Sequence, residues 1–260
     1  MKKIRIKILI LNYWLLCTAA AIVTLVMNHF CRTNDSDALT WILTPTARWV
    51  SILSGISFEY LPHQGYVNHF HQFLIAPSCA GSRFMLLTFL MLVFSFLITN
   101  FLEENSGFTD GIRVRREYLW FGFSMVLSYI ATIFVNGVRI TVSIYLPEVL
   151  ERKHLMDGWL TDDRLHTLIG TVTYFTSLCV VYLLASQLRR CMFRQRNCQT
   201  GILLFVPAFW YLLVVLALPF IKRMYHNEWD GFGQYAILII GVCGSVCVLS
   251  MIAGRIRRWR

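Results

Sequence analysis

Charge is what this sequence lacks. Only 15% of its 260 residues are Asp, Glu, Lys or Arg, whereas a soluble domain carries about 25%. With 57% hydrophobic residues, one water-soluble core cannot hide the apolar surface, which excludes a soluble globular domain. Also missing are a repeat of fixed period and any low-complexity stretch. No Cys-x-x-Cys, Walker, His-Glu-x-x-His or Gly-x-Ser-x-Gly pattern occurs, so the chain carries no motif for those redox, nucleotide, zinc or serine chemistries. Six prolines and fifteen glycines fall mostly at the ends of apolar runs or between them. Nothing marks a second domain, and residues 1–260 read as a single integral membrane domain.

What is present is a series of apolar runs punctuated by basic clusters. A net charge of +10 invites a nucleic-acid partner, but the basic residues sit in short groups flanking apolar runs, so the expected partner is a lipid bilayer. The basic start Lys2-Lys3-Ile4-Arg5-Ile6-Lys7 leads into a first span, Ile8 to Met27. That run is too long for a signal-peptide core, so it reads as uncleaved. Further spans are expected at about 84–101, 118–138, 166–185, 202–221 and 235–253. The fold class is therefore all-α, a polytopic membrane protein of about six transmembrane helices. Pro207 and Pro219 mark kink or stop positions in the fifth span.

The outer segment 28–79 breaks the helical pattern. Asp35-Ser36-Asp37 can cap a helix through Trp41 and Ile42, with Pro45 near its start or at a break. The run 47–56 is too short to span and suits the interface, with Trp41 and Trp49 at headgroup level. Phe58–Leu61 and Tyr66–Ile75 read as two extended strands around a Pro62–Gly65 turn. This re-entrant or hairpin segment delivers the chain to Cys79.

Six spans with both termini cytoplasmic put 15 of the 24 basic residues inside, in four short segments: the N-terminus, Arg113/Arg115/Arg116, Arg189/Arg190/Arg194/Arg196 and the tail from Arg255. On this topology Cys79 opens the second span, Arg139 ends the third before a loop containing Glu148, Glu151 and Asp157, and His166 opens the fourth. All three lie at the outer mouths. A thiol is a nucleophile once deprotonated, an imidazole can take and return the proton, and a guanidinium can stabilise a thiolate or an oxyanion. Ala80 and Gly81 leave the following amides open as oxyanion donors. Plainer readings stand beside these. Cys79 can pair with Cys31 in a disulfide, Arg139 can snorkel to headgroups, and His166 can cap its helix or face Asp162 or Asp163. Two other functions also compete: a small transporter using Arg139 and His166, or a membrane thiol–disulfide protein using Cys31 and Cys79. The pair His69 and His71 suggests a metal site less than a His-rich hairpin surface, and Cys243 and Cys247 read as buried thiols on one helix face.

Three segments carry a resemblance: Pro77-Ser78-Cys79-Ala80-Gly81, Asn136-Gly137-Val138-Arg139-Ile140, and His166-Thr167-Leu168-Ile169-Gly170. Together they resemble the exosortase/archaeosortase family of membrane-embedded cysteine transpeptidases, and Ala80 resembles the K-type branch. The likeness covers about 55–170 and leaves the last two spans (202–253) without a motif. It implies a protease-transpeptidase of the bacterial cytoplasmic (inner) membrane, active on the outer face. Its substrates would be exported proteins bearing a C-terminal motif, an apolar helix and a basic tail. The implied roles are Cys79 as nucleophile, His166 as general base and acid, and Arg139 as thiolate or oxyanion stabiliser. Ala80, Gly81 and Asn136 would be supporting residues. No metal and no cofactor is implied.

Overall fold

A computed structural model describes residues 2–102, 110–153, 161–193, 205–226 and 232–258. Asp157, Arg194, Arg196, Cys198, Glu228, Asp230 and Arg260 of the expected loops and tail lie outside them. Among the described residues, five helices are long and apolar enough to cross a membrane: Leu11–Thr33, Pro77–Thr99, Val114–Arg152, Asp162–Cys191 and Phe205–Tyr225. The sixth expected span overlaps a shorter apolar helical stretch, Phe232–Val248. The protein is thus an all-α polytopic membrane protein. Its chain forms two compact units: Met1–Ser51 with Ile56–Phe134, and Ile52–Gly55 with Val135–Arg260.

In the first unit, α1 (Lys2–Thr33) packs on α3 (Ser82–Leu102). Leu16 and Ala20 meet Phe89, Val93 and Leu97 in a buried cluster. The first part of α4 (Asp110–Arg152) closes this unit. Trp120 stacks on Phe96, and its indole N–H donates to the Leu92 carbonyl at 3.1 Å. A polar pair lies inside: the Asn12 amide donates to the Glu117 carboxylate, and Glu117 is only 1% exposed. A carboxylate in that setting needs such a donor.

Helix α2 (Thr40–Ser54) holds Pro45 in its interior, not at its start. Proline has no N–H for the carbonyl four residues back. That carbonyl, Trp41 O, instead accepts the Tyr129 hydroxyl of α4 at 2.7 Å. A single hydrogen bond from another helix therefore lets the helix run through its proline. Both tryptophans turn toward α4. Trp41 stacks on Tyr129, and Trp49 meets Phe134 edge-on while donating its N–H to the Phe134 carbonyl at 3.3 Å.

Asp37 does not cap α2. Its carboxylate accepts the Tyr60 hydroxyl and, at 3.0 Å, the His63 N–H, with the His63 imidazole 3.1 Å away. The bonds from His63 N–H and the Tyr60 hydroxyl hold the Asp37 carboxyl below its ordinary range, and the same contact raises the Tyr60 phenol. The expected two-stranded hairpin is a three-stranded antiparallel sheet of β1 (Glu59–Leu61), β2 (Gly65–Asn68) and β3 (Phe73–Ile75). The single long strand expected over 66–75 breaks because the Asn68 side chain accepts the His71 N–H at 2.7 Å, closing a second turn. His69 and His71 consequently lie in that turn and not on one strand face. Tyr66 anchors the sheet to α2 through Thr44, at 2.7 Å.

The second unit contains the rest of α4, then α5 (Asp162–Phe193), α6 (Phe205–Leu212), α7 (Leu218–His226) and α8 (Phe232–Arg258). Helix α4 does not stop at Arg139. It continues for 13 residues to Arg152, roughly 20 Å at 1.5 Å per residue. The expected charged loop begins as helix, with Arg152 and Glu148 paired one turn apart. The segment Ile140–Leu146 offers no glycine or proline to end it, and an arginine seated on a tyrosine ring does not require a helix end. Between α6 and α7 the helix widens into a π turn, Leu213–Ala217, directly before Leu218-Pro219, whose missing N–H spoils α-helical bonding. Cys243 of α8 is buried and faces Cys179 of α5.

Candidate active site: the Cys79 turn and the Arg139 cluster

Cys79 is placed by backbone. Gly65 sits against β3 so closely that a Cβ there would lie 2.4 Å from the Ile75 carbonyl oxygen, and its φ of +122° suits glycine alone. This contact seats the buried Ile75 at the end of β3. Ala76 is extended, and Pro77–Cys79 then form a single 3-10 turn. Its bonds run from Cys79 N–H to Ala76 O at 2.8 Å and from Ala80 N–H to Pro77 O at 3.1 Å. Ala80 is fully buried, and Gly81 takes a positive φ of 72° that reverses the chain into α3. The Gly81 carbonyl accepts the amides of Phe84 and Met85, at 2.9 and 3.1 Å, starting that helix.

Two expectations change here. The Ala80 amide is not an open donor, since the 3-10 turn uses it. The Gly81 N–H makes no backbone hydrogen bond among the described residues and remains a candidate oxyanion donor. Cys31 and Cys79 are thiols and not halves of a disulfide. Cys31 lies near the Ser82 side chain, beside the first turn of α3. The half-buried Cys79 has the Ser78 hydroxyl 4.0 Å from its sulfur. Past the turn, Met85 and Phe89 join Val23, Met27, Met125 and Val126 around an apolar groove of about 380 Å³.

Arg139 is placed by side chains, all in the second unit. Its guanidinium carbon lies 5.4 Å from the centre of the Tyr174 ring, within the range of a cation–π contact. The Tyr174 hydroxyl donates to Asn136 Oδ1 at 2.8 Å, and Asn136 is fully buried. Asn136 and Arg139 are three residues apart on α4, so they share a face. The asparagine holds the ring that the arginine covers. Arg139 is half-buried, and its Nε is shielded from solvent and has no hydrogen-bond partner. His166, in the first turns of α5, feels the Arg139 charge and the opposing charge of Asp163. The structure therefore joins Arg139 and Asn136 through Tyr174 and leaves His166 within electrostatic reach of Arg139.

Tyr174 was not legible from the sequence as a participant. The available signal was its place two helical turns after His166 on α5, a polar aromatic on roughly the same side. Beside this cluster, a cleft of about 440 Å³ runs between the first turns of α5 and α8, lined by Asp163, Thr167 and Tyr235. Arg164 bonds Gln234 across it at 2.7 Å. Among the described residues no group of three or more His, Cys, Asp or Glu side chains is arranged to hold a metal. Comparisons with protein-family models, curated proteins and solved structures return no match to this chain.

Proposed function

We propose that this protein is a membrane-embedded cysteine protease-transpeptidase that cleaves C-terminal sorting signals of exported proteins, as the exosortase resemblance implies. The Cys79 thiolate attacks the scissile carbonyl after His166 takes the thiol proton. Arg139 and the Gly81 amide balance the negative oxygen of the tetrahedral intermediate. As that intermediate collapses, the C–N bond breaks and His166 returns the proton to the leaving amine, leaving a thioacyl enzyme. An amine or another nucleophilic acceptor then displaces Cys79. The substrate's apolar helix would lie along the groove of Met27, Met85 and Met125, whose unbranched side chains adapt to varied sequences. The reading places the chain in a bacterial cytoplasmic membrane, with both termini inside and the chemistry on the outer face.

The observation that carries this reading is the setting of Arg139. A half-buried guanidinium, its Nε without an acceptor, is held on an aromatic ring, and its charge reaches an imidazole from another helix. Placing a fixed cation beside a titratable base is costly unless a developing anion uses it. The test is a secreted reporter carrying a C-terminal motif, apolar helix and basic tail, co-expressed with the chain. Processing should cease with Cys79→Ser, and hydroxylamine should release a trapped acyl group from the unsubstituted protein. Continued processing by Cys79→Ser would end the proposal.

A second reading, thiol–disulfide exchange through Cys31 and Cys79, is favoured by the nearness of Cys31 to Ser82, three residues along from Cys79. It requires Cys31→Ser to abolish activity as fully as Cys79→Ser. The transpeptidase reading requires Cys31→Ser to retain it.

A further inference from the structure

The basic cluster at the C-terminal end of α5 looks like an ordinary membrane-flanking group, yet one member behaves differently. Arg189 is 6% exposed. It continues the buried face of α5 that runs through Tyr182, Ala185 and Ser186. It therefore points inward, in the last turns of a span ending at Cys191. Its Nε is shielded from solvent and has no hydrogen-bond partner, and the same is true of Nε in the neighbouring Arg190. The one polar side chain a turn away, Ser186, already donates to the Leu183 carbonyl at 2.8 Å. No carboxylate among the described residues forms an ion pair with either arginine.

A lysine or histidine in such a place could give up its proton. Arginine cannot, because its guanidinium stays charged at any accessible pH. A guanidinium with its Nε shielded and no counter-charge among the described residues is disfavoured. The partial negative charge of the α5 C-terminus compensates it only weakly. The missing partner must be an anion that arrives at headgroup depth and matches the planar fork of the side chain. A phosphate does both: guanidinium–phosphate pairs are bidentate, and basic pockets between transmembrane helices take lipid headgroups.

We propose that Arg189, assisted by Arg190, forms a seat for the phosphate of an anionic phospholipid at the C-terminal end of α5. This site is independent of the transpeptidase reading. The contrast with Arg139 is instructive, since that guanidinium has the Tyr174 ring beneath it and Arg189 has no ring contact among those described.

The test is thermal unfolding of the delipidated full chain in a neutral detergent. Phosphatidylglycerol, phosphatidylcholine of the same acyl chains, or inorganic phosphate is then added. Phosphatidylglycerol should raise the melting temperature of the unsubstituted protein well above the phosphatidylcholine value. Arg189→Gln should abolish that difference and weaken phosphatidylglycerol binding about tenfold or more. Arg189→Lys should keep part of it. Without lipid, Arg189→Gln should melt no lower than the parent, because it removes an enclosed charge lacking a partner. Three outcomes would each overturn the proposal: equal responses to the two lipids, a shift reproduced by inorganic phosphate alone, or an Arg189→Gln loss of stability that is the same with and without phosphatidylglycerol.

Discussion

Cys79 and Arg139 are the two most informative residues of this chain, and they are held in opposite ways. Main-chain geometry positions Cys79: a 3-10 turn, two glycines at positive φ and a close approach of Gly65 to Ile75. Side chains from two helices position Arg139: a tyrosine ring beneath it and a buried asparagine fixing that ring. A backbone-held group tolerates change in its neighbours' side chains but not in their backbone freedom. A side-chain-held group depends on particular atoms, each of which can be removed singly.

The largest effect should come from the thiol itself. On the transpeptidase reading, Cys79→Ala lowers reporter processing by at least about 10⁴-fold while leaving membrane insertion unchanged. Arg139→Ala should cost about 10²–10³ in turnover, and Arg139→Lys should recover little because an ammonium lacks the planar fork. Equal retention by both Arg139 variants would remove the cation from the mechanism.

Next comes a test of the backbone half. Gly65→Ala forces a Cβ against the Ile75 carbonyl at a φ alanine avoids, costing about 1–3 kcal/mol. It should lower the melting temperature and shift Cys79 alkylation rates, whereas Ser78→Ala, which leaves the backbone alone, should do neither. On the side-chain half, Tyr174→Phe keeps the ring and loses the bond to Asn136, worth about 1 kcal/mol. Activity should fall roughly tenfold at most, while Tyr174→Leu, losing both contacts, should approach Arg139→Ala. If Tyr174→Leu were silent, Arg139 would not need its platform.

The smallest effect concerns the sheet that leads to Cys79. Asp37 has a depressed folded-state value, so its contribution is full above the unfolded value of about 3.9 and fades as pH falls through the lower folded one. Amide exchange in the turn 62–64 should therefore quicken below about pH 4. Asp37→Asn should show fast exchange at neutral pH with little further change on acidification.

Much of the fold is legible in the residue pattern, because apolar length and basic flanks report directly on spans. The 84–101 run lies within α3, Ser82–Leu102, and the 166–185 run lies within α5. The departures are specific. Arg139 reads as a span end because charge normally seeks water, and the tyrosine ring that holds it within a continuing helix lies 35 residues away in sequence. Pro45 reads as lying near a helix start or at a break, and the hydroxyl that satisfies the Trp41 carbonyl it leaves unpaired comes from Tyr129. The second turn of the sheet is hidden in the sequence because a single Asn68 side chain closes it.

What the sequence determined by itself was the class of the protein and the residue types of a candidate site: an apolar, multi-span chain with a thiol, a guanidinium and an imidazole flanking its apolar runs. These follow from residue types and local spacing, which act over one or two turns. Tertiary structure alone decided which amide beside Cys79 is occupied, which tyrosine carries Arg139, and which arginine of the α5 cluster is buried without an ion-pair partner among the described residues. Each of those depends on atoms brought together from distant parts of the chain, and hydrogen bonding and burial are properties of that meeting, not of either residue.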